Sequence, residues 1–340
     1  MMKNTKSCIK QYVENGHLCN IAIRVGKEGR VLADIFEAAD KIPCSETLFD
    51  MASITKVMVT SMLCLIAIDK KKIDLEDSVS KFFDTDEEKE KITIKDLLVH
   101  TIGIGYKSLT FEGCDYDNVQ SYVLNIPSDV PIGSETLYSC PGYILLGKIL
   151  EKVFGERLDN LFYELIAKPL DMKRSFFTPD KNNEFVNSNL LPEEIGIVND
   201  YNCRFLGGIS GNAGLFSCLE DVNKYVEMLL NFGYPLIGRE TFEMAIRNYT
   251  ETMSESRALG FVYVDEKYKQ TGELFAKGSI GHCGHTGQSI FIDLKSGLYV
   301  IILSDATNSC NKKYGGGRYD VVMKMREDLH NAIKEDLEDA

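Results

Sequence analysis

Three things are missing from this 340-residue chain, and each absence excludes a class. No apolar run is long enough to cross a bilayer. The longest, Val57 to Ile68, is broken by Thr60 and Ser61 and falls short of the roughly 20 residues that a spanning helix needs. Positive charge is not in excess: Lys+Arg number 38 against Asp+Glu 51, a net charge of −13. That balance opposes nucleic acid or an anionic membrane as a main partner. No two of the ten cysteines, at positions 8, 19, 44, 64, 114, 140, 203, 218, 283 and 310, have C-x-x-C spacing. Several (Cys64, Cys140, Cys218) lie in or beside apolar runs, where a thiol acts as a small hydrophobe. A reducing, cytoplasmic compartment is therefore expected. Met1 to Asn20 agrees, having no apolar core of a secretory signal. Internal repeats and low-complexity linkers are also missing.

What is present reads as an α/β chain of mixed order. Asn4 to Glu14 suits a helix, and Asn20 to Val25 with Val31 to Phe36 suit a β-hairpin across Gly26 to Gly29. The apolar helix from Val57 ends at Lys70 to Lys72, a solvated C-terminus. Ile73 to Phe83 suits a small docked segment. Thr93 to Val99 suits a short helix with Asp96 in its first turn. Thr101 to Val130 is loop-rich, a rim or lid. Tyr143, Leu146, Ile149, Leu150 and Val153 give Pro141 to Phe154 helical spacing. Leu158 to Ala167, Leu219 to Phe232, Glu240 to Arg247 and Arg318 to Glu338 add further helices, and Asp180 to Tyr201 is a weakly patterned connection. Ala258 to Val264, Gly281 to Leu294 and Gly297 to Leu303 read as strands. This order predicts an α+β fold: an antiparallel sheet built from both chain ends, flanked by helices, with a helical subdomain inserted. The expected division is residues 1–68 with 251–340 for the sheet-bearing part and 69–250 for the helical part.

The candidate chemistry centres on Ser53-Ile54-Thr55-Lys56. S-x-x-K by itself says little, because the chain holds four: Ser7-Lys10, Ser53-Lys56, Ser78-Lys81 and Ser309-Lys312. Only Ser53 opens a strongly apolar helix. There the two side chains share a face, and desolvation would lower the lysine pKa and free its amine. A hydroxyl beside an amine at a helix start is a plausible activated nucleophile. Two more features complete an ordered trio: Tyr138-Ser139-Cys140-Pro141-Gly142-Tyr143 before a helix, and His285-Thr286-Gly287-Gln288 within Gly281 to Ser289.

With these residues the chain resembles the serine β-lactamase and penicillin-binding-protein superfamily, whose motifs include S-x-x-K and K-T-G. The nearest likeness is to the branch of class C β-lactamases, D-Ala-D-Ala carboxypeptidase-like proteins and related esterases. Leu97 to Ile104 resembles the family's LL-x-HTSGL segment, Gly207 to Ser217 its G-x-AGLFST segment, and Lys168 to Met172 its KPLGM segment. The resemblance implies a β-lactamase/transpeptidase-like fold over one catalytic unit, 1–340. It implies a serine hydrolase that acts through an acyl-enzyme on an ester, amide or β-lactam, with no metal or organic cofactor. The substrate would be a small molecule or short peptide. Ser53 would be the nucleophile, and Lys56 and Tyr138 would share the proton traffic, with the phenol or phenolate as base. The N–H groups of Ser53 and Gln288 would form the oxyanion hole. His285, Thr286, Gly287 and Cys140 would line the substrate site.

Two departures from the pattern stand out. Cys140 occupies the place of an asparagine and lacks an amide's two-way hydrogen bonding. His285 occupies the place of a lysine and is not a fixed cation. Both favour esterase or peptidase-like activity over β-lactam hydrolysis. They also motivate an alternative, a catalytically weak binding or sensory protein, and a third reading, a thiol enzyme or redox sensor using Cys140. Tyr116-Asp117-Asn118 is formally Y-x-N but lies in a loop without the Pro-Gly-Tyr helix. His282, Cys283 and His285 are too few for a metal site, His100 reads as structural at a helix end, Asp50 as a local cap and Glu135 as exposed. Gly315 to Gly317 lacks the context of a phosphate loop.

Overall fold

The computed structural model describes residues 2–109, 112–189, 191–306 and 319–339. Its strands are β1 (Asn20–Lys27), β2 (Arg30–Ala38), β3 (Phe49–Asp50), β4 (Phe176–Phe177), β5 (Leu215–Ser217), β6 (Val262–Tyr263), β7 (Ile280–Cys283), β8 (Ser289–Asp293) and β9 (Leu298–Ser304). The helices are α1 (Lys3–Glu14), α2 (Met62–Asp69), α3 (Ile94–Val99), α4 (Val119–Leu124), α5 (Cys140–Phe154), α6 (Leu158–Phe162), α7 (Tyr201–Phe205), α8 (Leu219–Leu230), α9 (Arg239–Ala245) and α10 (Tyr319–Glu338). A six-stranded antiparallel sheet runs β2-β1-β9-β8-β7-β6, joining strands from both ends of the chain as expected. Ser309-Lys312 and Gly315 to Gly317 lie outside the described residues.

The central strands are apolar almost throughout because both of their faces are covered. Successive side chains alternate across a sheet. In β9, Val300 and Ile302 therefore enter the core under α1 and α10, while Tyr299, Ile301 and Leu303 enter the larger core on the opposite face. Ile9 of α1 and Val322, Met325, Leu329 and Ile333 of α10 cover the first face, at helical spacing. Each such aliphatic side chain, fully buried, contributes about 1.5–3 kcal/mol. The larger core runs from Ala22 to Leu303 and includes the helices between. Arg24 of β1 is buried and holds Asp34 (2.7 Å) and Glu220 of α8 (2.9 Å), tying the sheet to that helical layer.

A second, three-stranded sheet, β3-β5-β4, escaped sequence reading because its strands are only two or three residues long. It sets Phe49-Asp50, the run-in to Ser53, against Phe216-Ser217. The short helix α4 lies in a stretch read as loop, and α7 begins where the connection over Asp180 to Tyr201 ends. The strand expected over Ala258 to Val264 shrinks to Val262–Tyr263, and the one over Gly281 to Leu294 is two strands around a turn.

Among the described residues no helix is long and apolar enough to cross a membrane. Eight described cysteines are free, and Cys19 is disulfide-bonded.

Candidate active site

Ser53 stands in a tight turn fixed from below by Asp50. The buried Asp50 carboxylate accepts the N–H of Ala52 (2.8 Å) and of Asn199 (2.6 Å). Ala52 thereby keeps a φ of 45°, a left-handed conformation uncommon for a residue with a Cβ. Burial pushes Asp50 up to about 6, against the pull of those two N–H groups. Backbone bonds from Ile54 to Met51, Thr55 to Ala52 and Lys56 to Ser53 then wind the chain into a π-helical turn, Lys56–Ser61, that continues as α2. Such turns are rare and concentrate at functional sites.

Lys56 is fully buried. Its Nζ donates to Ser53 Oγ (3.0 Å), to the Asn212 carbonyl (2.8 Å) and, more loosely, to Cys140 Sγ (3.6 Å). The ammonium lies 5.1 Å from the Tyr138 ring centre. The Asn212 carbonyl gets there because the glycine-rich loop presses on α5. A Cβ at Gly211 would sit 2.1 Å from the Tyr143 carbonyl, so only glycine fits. Thr60 Oγ1 donates to the Gly211 carbonyl (2.7 Å) and locks the same contact.

Tyr138 immediately precedes α5. Ser139 caps that helix by accepting the Gly142 N–H (3.1 Å), and donates its own N–H to His100 Nδ1 (3.1 Å). His100 ends α3 in the left-handed region, and its ring packs 4.6 Å from that of Tyr138. The structural reading of His100 therefore accounts for its contacts. Tyr138 reaches both Ser53 and Lys56. Tyr138, distant in sequence, thus meets Ser53 and Lys56.

The electrostatics differ from expectation in one respect. Desolvation does act to lower the Lys56 pKa, but the neighbouring Cys140 and Tyr138 outweigh it and the net shift is upward. That rise is the effect of Cys140 and Tyr138 in their anionic forms, while burial acts the other way. Tyr138 also shifts up, because burial outweighs the opposing effect of Lys56. Cys140 is buried and its thiol is pushed up, first by burial, which disfavours the thiolate that a thiol enzyme or sensor needs. It packs between Lys56 and Asn212 and is closed to a substrate by its own burial.

The His285-Thr286-Gly287 assignment is displaced. These residues form the turn between β7 and β8, closed by Gly284 N–H to the Gln288 carbonyl (2.8 Å), and do not run along an edge strand. Thr286 and Gln288 are fully buried. Both side chains donate to the Asp50 carbonyl, at 3.3 and 2.6 Å, and Gln288 also to that of Ser304 (2.8 Å). They brace the Ser53 turn from behind and present no side-chain atom to a substrate. Arg326 of α10, also fully buried, clamps the Gly284 and Gly287 carbonyls. His285 is exposed and stacks on Tyr319 at 5.6 Å, with its pKa held down by partial burial and then by Arg326.

The residue that faces Tyr138 from the sheet is His282, with ring centres 6.1 Å apart. β6 pairs with β7 only at Ile280 and Gly281, so from His282 onward the edge of β7 is uncovered. The histidine against Tyr138 therefore lies three residues before the one expected. A cue was available: G-H-x-G repeats the shape of the motif one turn earlier. His282 is buried and its pKa falls well below the usual value, first through burial and then through Arg257 and Lys56. Its Nδ1 lies 2.8 Å from the Cys283 carbonyl and so carries the proton of the neutral ring, leaving Nε2 a buried acceptor.

The remaining candidates fall elsewhere. Tyr116 bonds to Glu151 and sits under Lys148, in a different part of the helical layer. Ser78 caps a short 3₁₀ turn while Lys81 pairs with Asp77, and Lys10 of Ser7-Lys10 pairs with Glu14 on the exposed face of α1. Glu135 is exposed. Among the described residues no group of three or more His, Cys, Asp and Glu could hold a metal ion.

Comparison with known proteins gives a consistent picture. A protein of Escherichia coli K12, named provisionally as a D-alanyl-D-alanine carboxypeptidase, is 27% identical over 308 residues, covering 77% of this chain and 70% of its own length. The solved structure of EstCE1, described as a hydrolase with promiscuous acyltransferase activity, superposes with a TM-score of 0.77 at 19% identity, covering 96% of this chain and 98% of its own. A β-lactamase/D-alanine carboxypeptidase of Pseudomonas syringae gives 0.76 at 14% identity, with 96% and 97% covered. At such identities the superpositions establish the fold, a mixed helix and antiparallel-sheet architecture of the β-lactamase/transpeptidase type. The family model described as Beta-lactamase matches residues 5–315. The chain belongs to the beta-lactamase family of serine hydrolases.

Proposed function

We propose that the chain forms an acyl-enzyme on Ser53 from a small ester or amide and releases the acyl group to water. The observation that carries this reading is the buried Lys56 ammonium 3.0 Å from Ser53 Oγ, with Tyr138 against both. Tyr138, as phenolate, takes the Ser53 proton while Oγ bonds to the acyl carbon. It returns that proton to the departing oxygen or nitrogen, and water then reverses the path. Lys56 remains a cation throughout and stabilises the anionic partners. The N–H groups of Ser53 and, with the motif shifted by three residues, His285 would receive the carbonyl oxygen.

A pH dependence follows. Burial holds Tyr138 above the ordinary phenol value of about 10, so phenolate is scarce at neutral pH and grows about tenfold per pH unit. Acylation should therefore accelerate as pH rises from neutral to alkaline. A neutral His282 offers no fixed charge to a substrate carboxylate, which supports an esterase or amidase over a β-lactamase. We also propose the division into residues 1–68 with 251–340 and 69–250.

Cys140 in the asparagine's place favours the second reading, a binding or sensory protein. Intact mass after exposure to a fluorophosphonate or a penicillin separates the two. The hydrolase gives one adduct, lost in Ser53→Ala together with at least about 10³-fold in turnover. No adduct from any probe favours the binding protein. A Ser53→Ala variant with full turnover overturns the mechanism. Rates on p-nitrophenyl esters, nitrocefin and D-amino-acid amides then rank the substrates.

A further inference from the structure

A tyrosine that works as an anion needs positive charge around it, and Lys56 by itself does not overcome the burial of Tyr138. The titratable or charged groups packed about that ring are Lys56, Cys140, His100, His282, Tyr143 and Arg257. Burial, together with the nearby cations, keeps His100 and His282 neutral. Cys140 and Tyr143 are uncharged or negative. Arg257 is what remains.

Arg257 is only 6% exposed, and its guanidinium carbon lies 5.7 Å from the Tyr138 ring centre. An arginine stays protonated even when buried, and its planar head suits an aromatic face. Its ion-pair partner, Glu255, has a side chain 53% exposed, so water screens most of the neutralisation. Its Nε is buried with no partner among the described residues, an expensive arrangement if the charge served packing alone. The backbone around it is fixed: the Arg257 N–H donates to Thr250 Oγ1 (2.8 Å), and its carbonyl accepts the Tyr249 N–H (2.8 Å). Position and charge are therefore both held. We propose that Arg257 is a positioning residue, a second fixed cation beside Lys56 that favours the tyrosinate form of Tyr138 where the sheet supplies a histidine instead of a lysine. This rests on the acyl-enzyme reading given above.

The test uses Arg257→Gln, Arg257→Lys and Glu255→Gln in the full chain. Tyrosinate absorbance is titrated in each protein and in its Tyr138→Phe counterpart, and the difference isolates Tyr138. Arg257→Gln should move the Tyr138 midpoint up by about one pH unit and slow fluorophosphonate labelling of Ser53 about tenfold at fixed pH. Arg257→Lys should recover most of both. Glu255→Gln, which removes only the screened partner, should move the midpoint down, and it decides the matter if Arg257→Gln does not fold. An unmoved midpoint overturns the proposal, whatever happens to the rate. So does a loss confined to a raised KM for carboxylate-bearing esters, which would make Arg257 a substrate anchor. A wild-type chain that is never labelled at Ser53 defeats the acyl-enzyme reading, while the titration still reports separately on Arg257 and Tyr138.

Discussion

The two sides, or walls, of the Ser53 site were specified in different ways. On one wall Ser53 and Lys56 are three residues apart in a helical turn, which sets them on one face, with Nζ 3.0 Å from Oγ. On the other wall the histidine that meets Tyr138 is set by how far β6 pairs along β7 and by which face of β7 is turned inward. The first relation is local in sequence, and burial with the Asn212 carbonyl holds it. The second depends on register, where one residue of slip exchanges the faces. Spacing therefore pointed to the Ser53–Lys56 pair, while the histidine that meets Tyr138 lies three residues before the one expected.

The largest expected effect tests whether the walls act together. Tyr138→Phe keeps the ring that packs on His100 and removes the proton acceptor. Acylation of Ser53, read by the rate of fluorophosphonate labelling, should fall by about 10²–10⁴. A fall under threefold would leave the serine wall working alone. Next comes the choice of histidine. His282→Ala should lower kcat/KM about tenfold or more, and His285→Ala less than threefold, because only the former packs against Tyr138. The reverse order would restore the 285–287 assignment.

Smaller effects concern the brace behind Ser53. Gln288→Ala leaves the Asp50 and Ser304 carbonyls short of a donor and should cost about 1–3 kcal/mol in urea denaturation, without altering the ranking of substrates. The smallest is a pH slope. Asp50 has a folded pKa of about 6 against 3.8 unfolded, so the folded state binds the extra proton between those values. Its contribution to stability therefore declines as pH rises through that window, by at most about 1.4 kcal/mol per pH unit. In Asp50→Asn that decline should vanish, as judged by the difference between the two proteins' urea midpoints from pH 4 to 7. A parallel pair of curves would place the Asp50 pKa near its ordinary value.

The fold was legible where burial leaves a periodic trace. β9 and β1 read as strands, and α5 and α8 as helices, because two covered faces or one apolar stripe repeat along the sequence. The three-stranded sheet, α4 and α7 were not legible, being too short for any period to show. Cys140 and His282 changed meaning for another reason. Their residue types were visible, but not the burial that raises one pKa and lowers the other.

The sequence by itself determined the Ser53–Lys56 spacing, the helix after Tyr138 and the sheet drawn from both chain ends, since each follows from spacing or patterning along the chain. Only the tertiary structure decided that Lys56 is wholly buried, that Thr286 and Gln288 bond to the carbonyl behind Ser53, and that His282 and Arg257 flank Tyr138. Those outcomes depend on which distant segments exclude water from one another, a property that no local stretch of chain carries.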